Sequence, residues 1–335
     1  MGAMTLDELK KGMSDKVFSQ IVDIFLRNSS ILSKLPFDDC VSANGGGSTL
    51  KYKYLRKVLP ATAEFRKINA EYGASVATKQ EFEAALAIMG GKVQFDRVLN
   101  KAAGQFDNMA YQIEEHIKAI VSLFHYTLIN GDASTTANTD HPEFQGLDSM
   151  LAGTSTEFNT SAVIDLHDIA ATKANADAFY ELLTTLVNTT EADALIMNTK
   201  MISKIQTVAR ILGYRTESEE AFGRKIFSLD GVKFMDLQNH YTVASGAASA
   251  QPVVKVQNRT VGTAQTGLTD IYAVKFDVND GFHGISLAGG SVIDQYLPDF
   301  GVEGKAVHDA DVEMVAATVL KNTQHAGVLR NIKIA

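Results

Sequence analysis

The clearest pattern of apolar and polar positions lies between Ala102 and Ile129, where Phe106, Met109, Ile113, Ile117, Ile120, Phe124 and Leu128 recur at steps of three and four. That spacing places them on one stripe of an α-helix, with Asp107, Glu114, Glu115 and Lys118 on its other face. At 1.5 Å per residue the helix is about 40 Å long, enough to cross a domain as a spine. Asn130-Gly131-Asp132 follows, a run that tolerates left-handed backbone and stops helices.

Residues 5–35 are amphipathic. Ser14 or Asp15 can cap a helix carrying Val17, Phe18, Ile21, Val22, Ile24 and Phe25, and Leu35-Pro36-Phe37 ends it because the residue before proline is pushed out of the α basin. After a flexible Asn44–Gly47, Leu50, Tyr52 and Tyr54 alternate with Lys51 and Lys53 in the two-residue period of a strand. Beyond Pro60, residues 61–73 read as an extended return, completing a two-stranded ribbon with too little apolar content to bury a core of its own.

Residues 79–99 predict a short helix, a break at Gly90-Gly91 and a strand at Lys92–Phe95 that leads into the spine. Past the spine, Asp132–Leu147 is a polar surface loop. A second unit begins near Ser161, with helices at Ala178–Val187 and Lys200–Leu212, the latter closed by Gly213, and a buried strand at Ala194–Met197. Strand-like pieces follow at Phe227–Leu237, Thr242–Gly246, Pro252–Gln257 and Asp270–Asp277, and Asp311–Ala335 reads as two more strands ending on apolar, docked residues.

Composition narrows the function classes. The chain has 335 residues, 45% of them hydrophobic, more than one compact core needs, so two subdomains are expected. A net charge of -8 gives no global basic field for phosphate neutralisation. No apolar run reaches the length of a membrane span, and the N-terminal residues show no signal peptide, so a soluble protein made in the cytosol is expected. Cys40, the single cysteine, excludes an intrachain disulfide and a cysteine metal cage, and reads as a small buried hydrophobe.

No set of residues argues for catalysis. His141, His167-Asp168, His283 and His308-Asp309-Asp311 are the candidates for a metal or hydrolase site, but none has the spacing of two ligands on one helix face. The glycines at 45–47 and 289–290 lack both the Lys-Ser/Thr of a phosphate loop and the strand-turn-helix context of a dinucleotide site. There is no nucleophile elbow. No catalytic residue, cofactor or metal is therefore assigned. The informative charges are the mixed run Lys51, Lys53, Arg56, Lys57, Glu64, Arg66, Lys67 and Glu71, which on an extended ribbon can select a partner of opposite sign.

Taken in order, the amphipathic arm, Leu35-Pro36-Phe37, the charged ribbon with its Leu59-Pro60-Ala61 turn and Glu64–Gly73 return, the Gly90–Leu99 lead into a long spine, Leu128–Asp132 at its end and Phe144–Leu147 resemble the major capsid proteins of tailed bacteriophages. That is the Hong Kong 97-type α+β fold, shared with bacterial encapsulin shells. The resemblance implies an N-terminal arm at 1–42, an extended loop at 43–78, a peripheral domain at 79–160 holding the spine, an axial domain at 161–300, and a return to the peripheral domain at 301–335. It also implies a non-enzymatic subunit that assembles with itself as pentamers and hexamers around packaged double-stranded DNA, in a virion made in the host cytoplasm. Scaffold, portal and decoration proteins are the further partners implied, with no membrane. Lys51, Lys53, Arg56, Lys57, Glu64, Phe65 and Arg66 would make subunit contacts. An encapsulin shell is the alternative. An α/β enzyme with an unrecognised site is a third reading, which explains neither the arm nor the ribbon.

Overall fold

The computed structural model describes residues 31–32, 34–40, 50–96, 98, 108–133, 142–214, 217–221, 224–229, 231–244, 247–287, 293–296 and 306–335. The amphipathic face at Val17–Phe25, the stretch 44–47, Phe106 and Asp107 of the spine, most of the polar loop after it, His141 and Gly289-Gly290 lie outside the described residues.

Helix α1 (Asn108–Asn130) is the spine. Ile113, Ile120, Phe124 and Leu128 are buried, as their stripe requires, whereas Ile117 on the same stripe is only half-buried against the core. The Phe124 ring centroid lies 5.5 Å from Phe144 and 6.4 Å from Phe37. Glycine ends this helix for a reason other than left-handed backbone. Gly131 N–H donates to Thr127 O at 2.8 Å, and a Cβ at Gly131 would stand 2.3 Å from the Phe144 carbonyl oxygen, so only glycine lets the returning chain lie against the helix end. Helix α2 (Leu147–Leu151) then packs on the spine.

Under the spine lies a five-stranded sheet. Strand β17 (Val307–Leu320) runs through it, with β4 (Ala87–Asp96) antiparallel along one edge and β15 (Phe282–Ser286) and β16 (Ile293–Tyr296) along the other. Strand β1 (Phe37–Asp39) adds in parallel to β15. Residues 79–99 correct the helix-break-strand expectation, since β3 (Thr78–Ala85) and β4 leave no helix before Asp96. Local helix propensity at Glu81–Leu86 is overridden because backbone pairing recruits residues on both sides of Leu86, with Glu81 set opposite Leu55 and Ala85 opposite Lys51, then Ala87 opposite Ala316 and Asp96 opposite Val307. Gly90-Gly91 is then a close approach instead of a break. A Cβ on Gly91 would sit 2.3 Å from His116 Nδ1 of the spine.

A nine-stranded sheet forms the second layer. Strand β18 (Ala326–Lys333) holds β5 (Glu157–Phe158) and β6 (Ile164–Asp165) in parallel, and pairs antiparallel with β14 (Thr263–Val274). The order continues through β7 (Ala194–Ile196), β10 (Val232–Met235), β9 (Arg224–Leu229) and β8 (Glu217–Ala221), while β13 (Gln257–Val261) folds back on β14. Helices α3 (Ile169–Thr190) and α4 (Thr199–Leu212) bury Phe179, Leu183, Met201 and Ile205 in one cluster with Leu195, Ile271 and Leu329. Both start on side-chain caps, Asp168 accepting from Ala171 N–H and Asn198 from Met201 N–H, and Gly213 closes α4 at φ 80°.

The hairpin of β11 (Asn239–Ala244) and β12 (Ala247–Pro252) lies beside the spine. The strand expected at Pro252–Gln257 is instead a crossover, in which Val253 and Val254 are buried between β12 and β13.

One charged cluster binds these parts. The buried Asp270 carboxylate accepts from Arg259 Nη1 and Nη2 at 2.7 and 2.5 Å and from Asn331 N–H at 3.0 Å, with Arg330 Nη1 at 3.3 Å. Arg330 also donates to Asp148 and, through Nε, to Glu157 at 2.8 Å, and Tyr272 donates to Asp148 at 2.9 Å. Removing one partner of a buried pair strands the others, so Asp270→Ala is expected to cost about 3–5 kcal/mol, read as a lowered denaturation midpoint. The spine residue His125 sets an acid limit. Burial pushes its imidazole from 6.5 down to about 4, so the native state needs it neutral. Its contribution is complete above 6.5 and is lost as pH falls from there toward 4. Chemical denaturation at pH 7 and 4.5 is expected to show that loss, on the order of 3 kcal/mol, and His125→Leu to flatten it.

Candidate assembly interface

The ribbon is β2 (Lys51–Leu59) paired antiparallel with β3, Lys51 opposite Ala85 and Lys57 opposite Lys79. Its return strand is therefore residues 78–85, where residues 61–73 were expected. Prolonged polar sequence and Pro60 put residues 60–77 into a tip loop instead, because proline cannot donate to a ladder. The tip is held by its own polar groups. Thr62 N–H donates to Ser75 Oγ at 2.8 Å, Gly73 N–H donates to Glu64, and Arg66 donates to Ala70 O at 3.2 Å while lying 5.3 Å from the Tyr72 ring. Asn69 turns the chain at φ 65°.

Alternation along β2 separates two faces. Tyr52, Tyr54 and Arg56 are half-buried toward the body, whereas Lys51, Lys53, Leu55 and Lys57 are exposed. Tyr54 stacks on Phe82 across the ribbon at 5.9 Å. Arg56 lies 4.5 Å from the Phe82 ring and donates to the carbonyls of Leu320 at 2.7 Å and Lys321 at 3.2 Å, which anchors the ribbon to the end of β17. Tyr52 donates to Asp38 at 2.6 Å, and burial with the nearby carboxylate pushes its phenol well above the usual range.

The candidate contact residues thus divide. Lys51 and Lys53 pair across the ribbon with Glu83 at 2.6 Å and Glu81 at 2.7 Å. The Lys51 ammonium holds the Glu83 carboxyl below its ordinary value. Arg56 is engaged within its own chain, and Glu64 and Arg66 shape the tip. Lys57 and Phe65 face solvent. Lys57 stands opposite another cation, Lys79, an arrangement unfavourable in isolation. Phe65 is fully exposed, and Ile68 and Val76 are exposed at 91% and 78%. Ile68, Tyr72, Val76 and Lys79 join this surface; Ile68 and Tyr72 fell within the expected return at 61–73 without being singled out for contact, and Val76 and Lys79 lay beyond its end. The alternation of Phe82 and Ala84 with Glu81 and Glu83 was the signal available.

The histidine-carboxylate groups do not converge. His167 lies between Asp165 at 2.7 Å and Asp168 at 3.2 Å on an exposed turn, and no cluster of three or more metal-type ligands occurs among the described residues. His308 and Asp309 are neighbours on β17 and so point to opposite faces, Asp309 pairing with Lys92 at 2.7 Å. Cys40 is buried, as expected.

No family model and no curated protein matches the chain. Solved structures do, over nearly its whole length. A cryo-EM structure of the holo-SrpI encapsulin complex from Synechococcus elongatus PCC 7942 aligns with a TM-score of 0.61 at 13% identity, covering 99% of this chain and 97% of that one. The capsid of a native GTA particle aligns at 0.55 and 13% identity, covering 99% and 100%. Microbacterium phage Oxtober96 aligns at 0.55 and 10% identity over the full length of both chains. The chain has the Hong Kong 97-type α+β fold.

Within the Hong Kong 97-type fold of this chain, the two faces of the ribbon respond differently to substitution. Arg56→Ala is expected to lower subunit stability by about 1–3 kcal/mol, from two charge-assisted hydrogen bonds and a ring contact. Lys57→Ala is expected to stay within about 0.5 kcal/mol. Thermal melts of the two variants against the parent check this.

Proposed function

We propose that the protein is the major capsid protein of a tailed bacteriophage, assembling as pentamers and hexamers into an icosahedral shell around packaged double-stranded DNA. The observation that carries this reading is the ribbon tip, where Phe65, Ile68 and Val76 face solvent on a two-stranded element that, among the described residues, is anchored at its root. An exposed apolar patch of this kind is covered by association, and a repeated head-to-tail contact closes into rings. The full-length likeness to capsid structures supports it.

In this reading residues 1–42 are the arm, and the extended loop expected at 43–78 runs on through β3. The peripheral domain, expected at 79–160 and 301–335, then begins at β4, and 161–300 is the axial domain. Lys57 and Phe65, with Ile68, Tyr72, Val76 and Lys79, meet the neighbouring subunit. Lys51, Lys53, Glu64 and Arg66 stiffen the ribbon, and Arg56 sets its angle. The protein acts as a structural subunit in the virion, touching DNA without sequence readout, and scaffold, portal and decoration proteins are its further partners.

A bacterial encapsulin-type compartment is the second reading, supported by the TM-score of 0.61 with an encapsulin. Electron microscopy of the purified protein is expected to show closed shells, and particles from the native source to hold nuclease-protected double-stranded DNA. Protein cargo in place of DNA favours the compartment. A monodisperse monomer across salt and concentration overturns both. Phe65→Asp combined with Ile68→Asp is expected to abolish shells and leave the subunit melting temperature unchanged.

A further inference from the structure

The root of the ribbon rests on a buried group that neither its anchoring nor the shell reading uses. His283, in β15, is fully buried, and its Nε2 has no hydrogen-bond partner among the described residues. Its Nδ1 faces the Gly281 carbonyl at 3.4 Å. The Tyr52 ring of β2 meets the imidazole edge-on at 6.0 Å. Tyr52 is itself held by Asp38 of β1 at 2.6 Å and by the Lys321 ammonium, 5.4 Å from its ring, while Lys321 donates to Val278 O at 2.7 Å. Arg56, two residues along the same face, grips the carbonyls of Leu320 and Lys321.

A neutral imidazole suits this site, because a proton carried on Nδ1 leaves Nε2 as a bare acceptor, the milder of the two unpaired states. A second proton makes Nε2 a charged donor with nothing to receive it, and a buried unpaired charge costs far more than a buried unpaired acceptor. The charges facing the ring come from every element around it: Lys321 after β17, which opposes a proton, and Asp38 on β1 and Asp277 before β15, which favour one. Burial is the largest influence, and with Lys321 it outweighs the carboxylates and holds the imidazole below its ordinary value. Asp38 is already committed to the Tyr52 hydroxyl. A proton on Nε2 is therefore accommodated only by admitting water past Tyr52 or by drawing Asp38 away from it, and either movement undoes the contact of the ribbon with the body.

We propose that the root of the ribbon is an acid-released latch, in which neutral His283 lets Tyr52 close over it and a proton on Nε2 drives Tyr52, and the ribbon with it, off the body. The sign follows from the depressed basicity. The latched state is complete above the ordinary histidine value of 6.5 and weakens as pH falls below it. The device belongs to the single chain and holds whether or not copies assemble.

Hydrogen–deuterium exchange of the full chain at pH 7.5 and 5.0, with labelling times scaled for intrinsic exchange, reads the latch directly. His125 gives every element a common acid sensitivity, so the quantity measured is the loss of protection in β2 and β3 in excess of that in β14 and β18. The expected excess is about tenfold. His283→Gln, neutral at every pH, is expected to remove it. No excess in the parent protein overturns the proposal, as does an excess that survives in His283→Gln. Where that variant does not fold, the pH profile of the parent decides. A one-proton profile below pH 6.5 supports the latch, and a steep profile centred in the carboxylate range, below about 4.5, overturns it.

Discussion

Both sheets close on the last two strands of the chain. Each backbone amide and carbonyl taken out of water needs a partner, and β17 supplies them to β4, β15 and β16 while β18 supplies them to β14, β5 and β6. A turn at Lys321–His325 is all that separates the two strands, so one short segment ties the layer under the spine to the layer under α3 and α4. Among the described residues, strands β4, β5 and β6 acquire their partners only when residues 307–333 arrive, which makes the fold rich in long-range contacts and dependent on an intact C-terminal end.

The polar interior follows the same joint. Arg330 and Asn331 ride on β18, Asp270 and Tyr272 on β14, Glu157 on β5 and Asp148 on α2, so a single cluster of charges records whether these pieces have met in register. Slippage of β18 by one residue would exchange Arg330 for a buried aliphatic and leave Asp270 without its acceptance from Asn331. The cluster thus contributes specificity along with stability, in contrast to the exposed pairs Lys51–Glu83 and Lys53–Glu81, which solvent screens.

The ribbon is built on a different principle. Its root is chemically specified, through Arg56 on the β17 carbonyls and Tyr52 between Asp38 and His283, whereas its tip satisfies only its own backbone and presents apolar side chains outward. A fixed root with an uncovered tip orients a binding surface without ordering it first, so a partner adds the burial that a two-stranded element lacks.

Much of this architecture was legible in the chain itself. The three-and-four spacing through Phe124 and Leu128 marks the spine, Gly213 closes α4, and the alternation at Tyr52 and Tyr54 marks β2, because these signals are local and backbone geometry alone converts them into structure. The order of such segments carried the fold class. Tertiary structure decided the rest. Residues 81–85 are strand despite helix-forming composition because β2 offered hydrogen-bond partners, Gly91 is glycine because His116 passes over it, and Arg56 became an anchor because the end of β17 lies within reach. Local sequence determines which elements can form and which face each prefers to bury. Which distant backbone completes a sheet, and which charged side chain is consumed inside the chain instead of left for a partner, depends on groups more than two hundred residues apart, such as Arg56 and Leu320, that only the folded chain brings together.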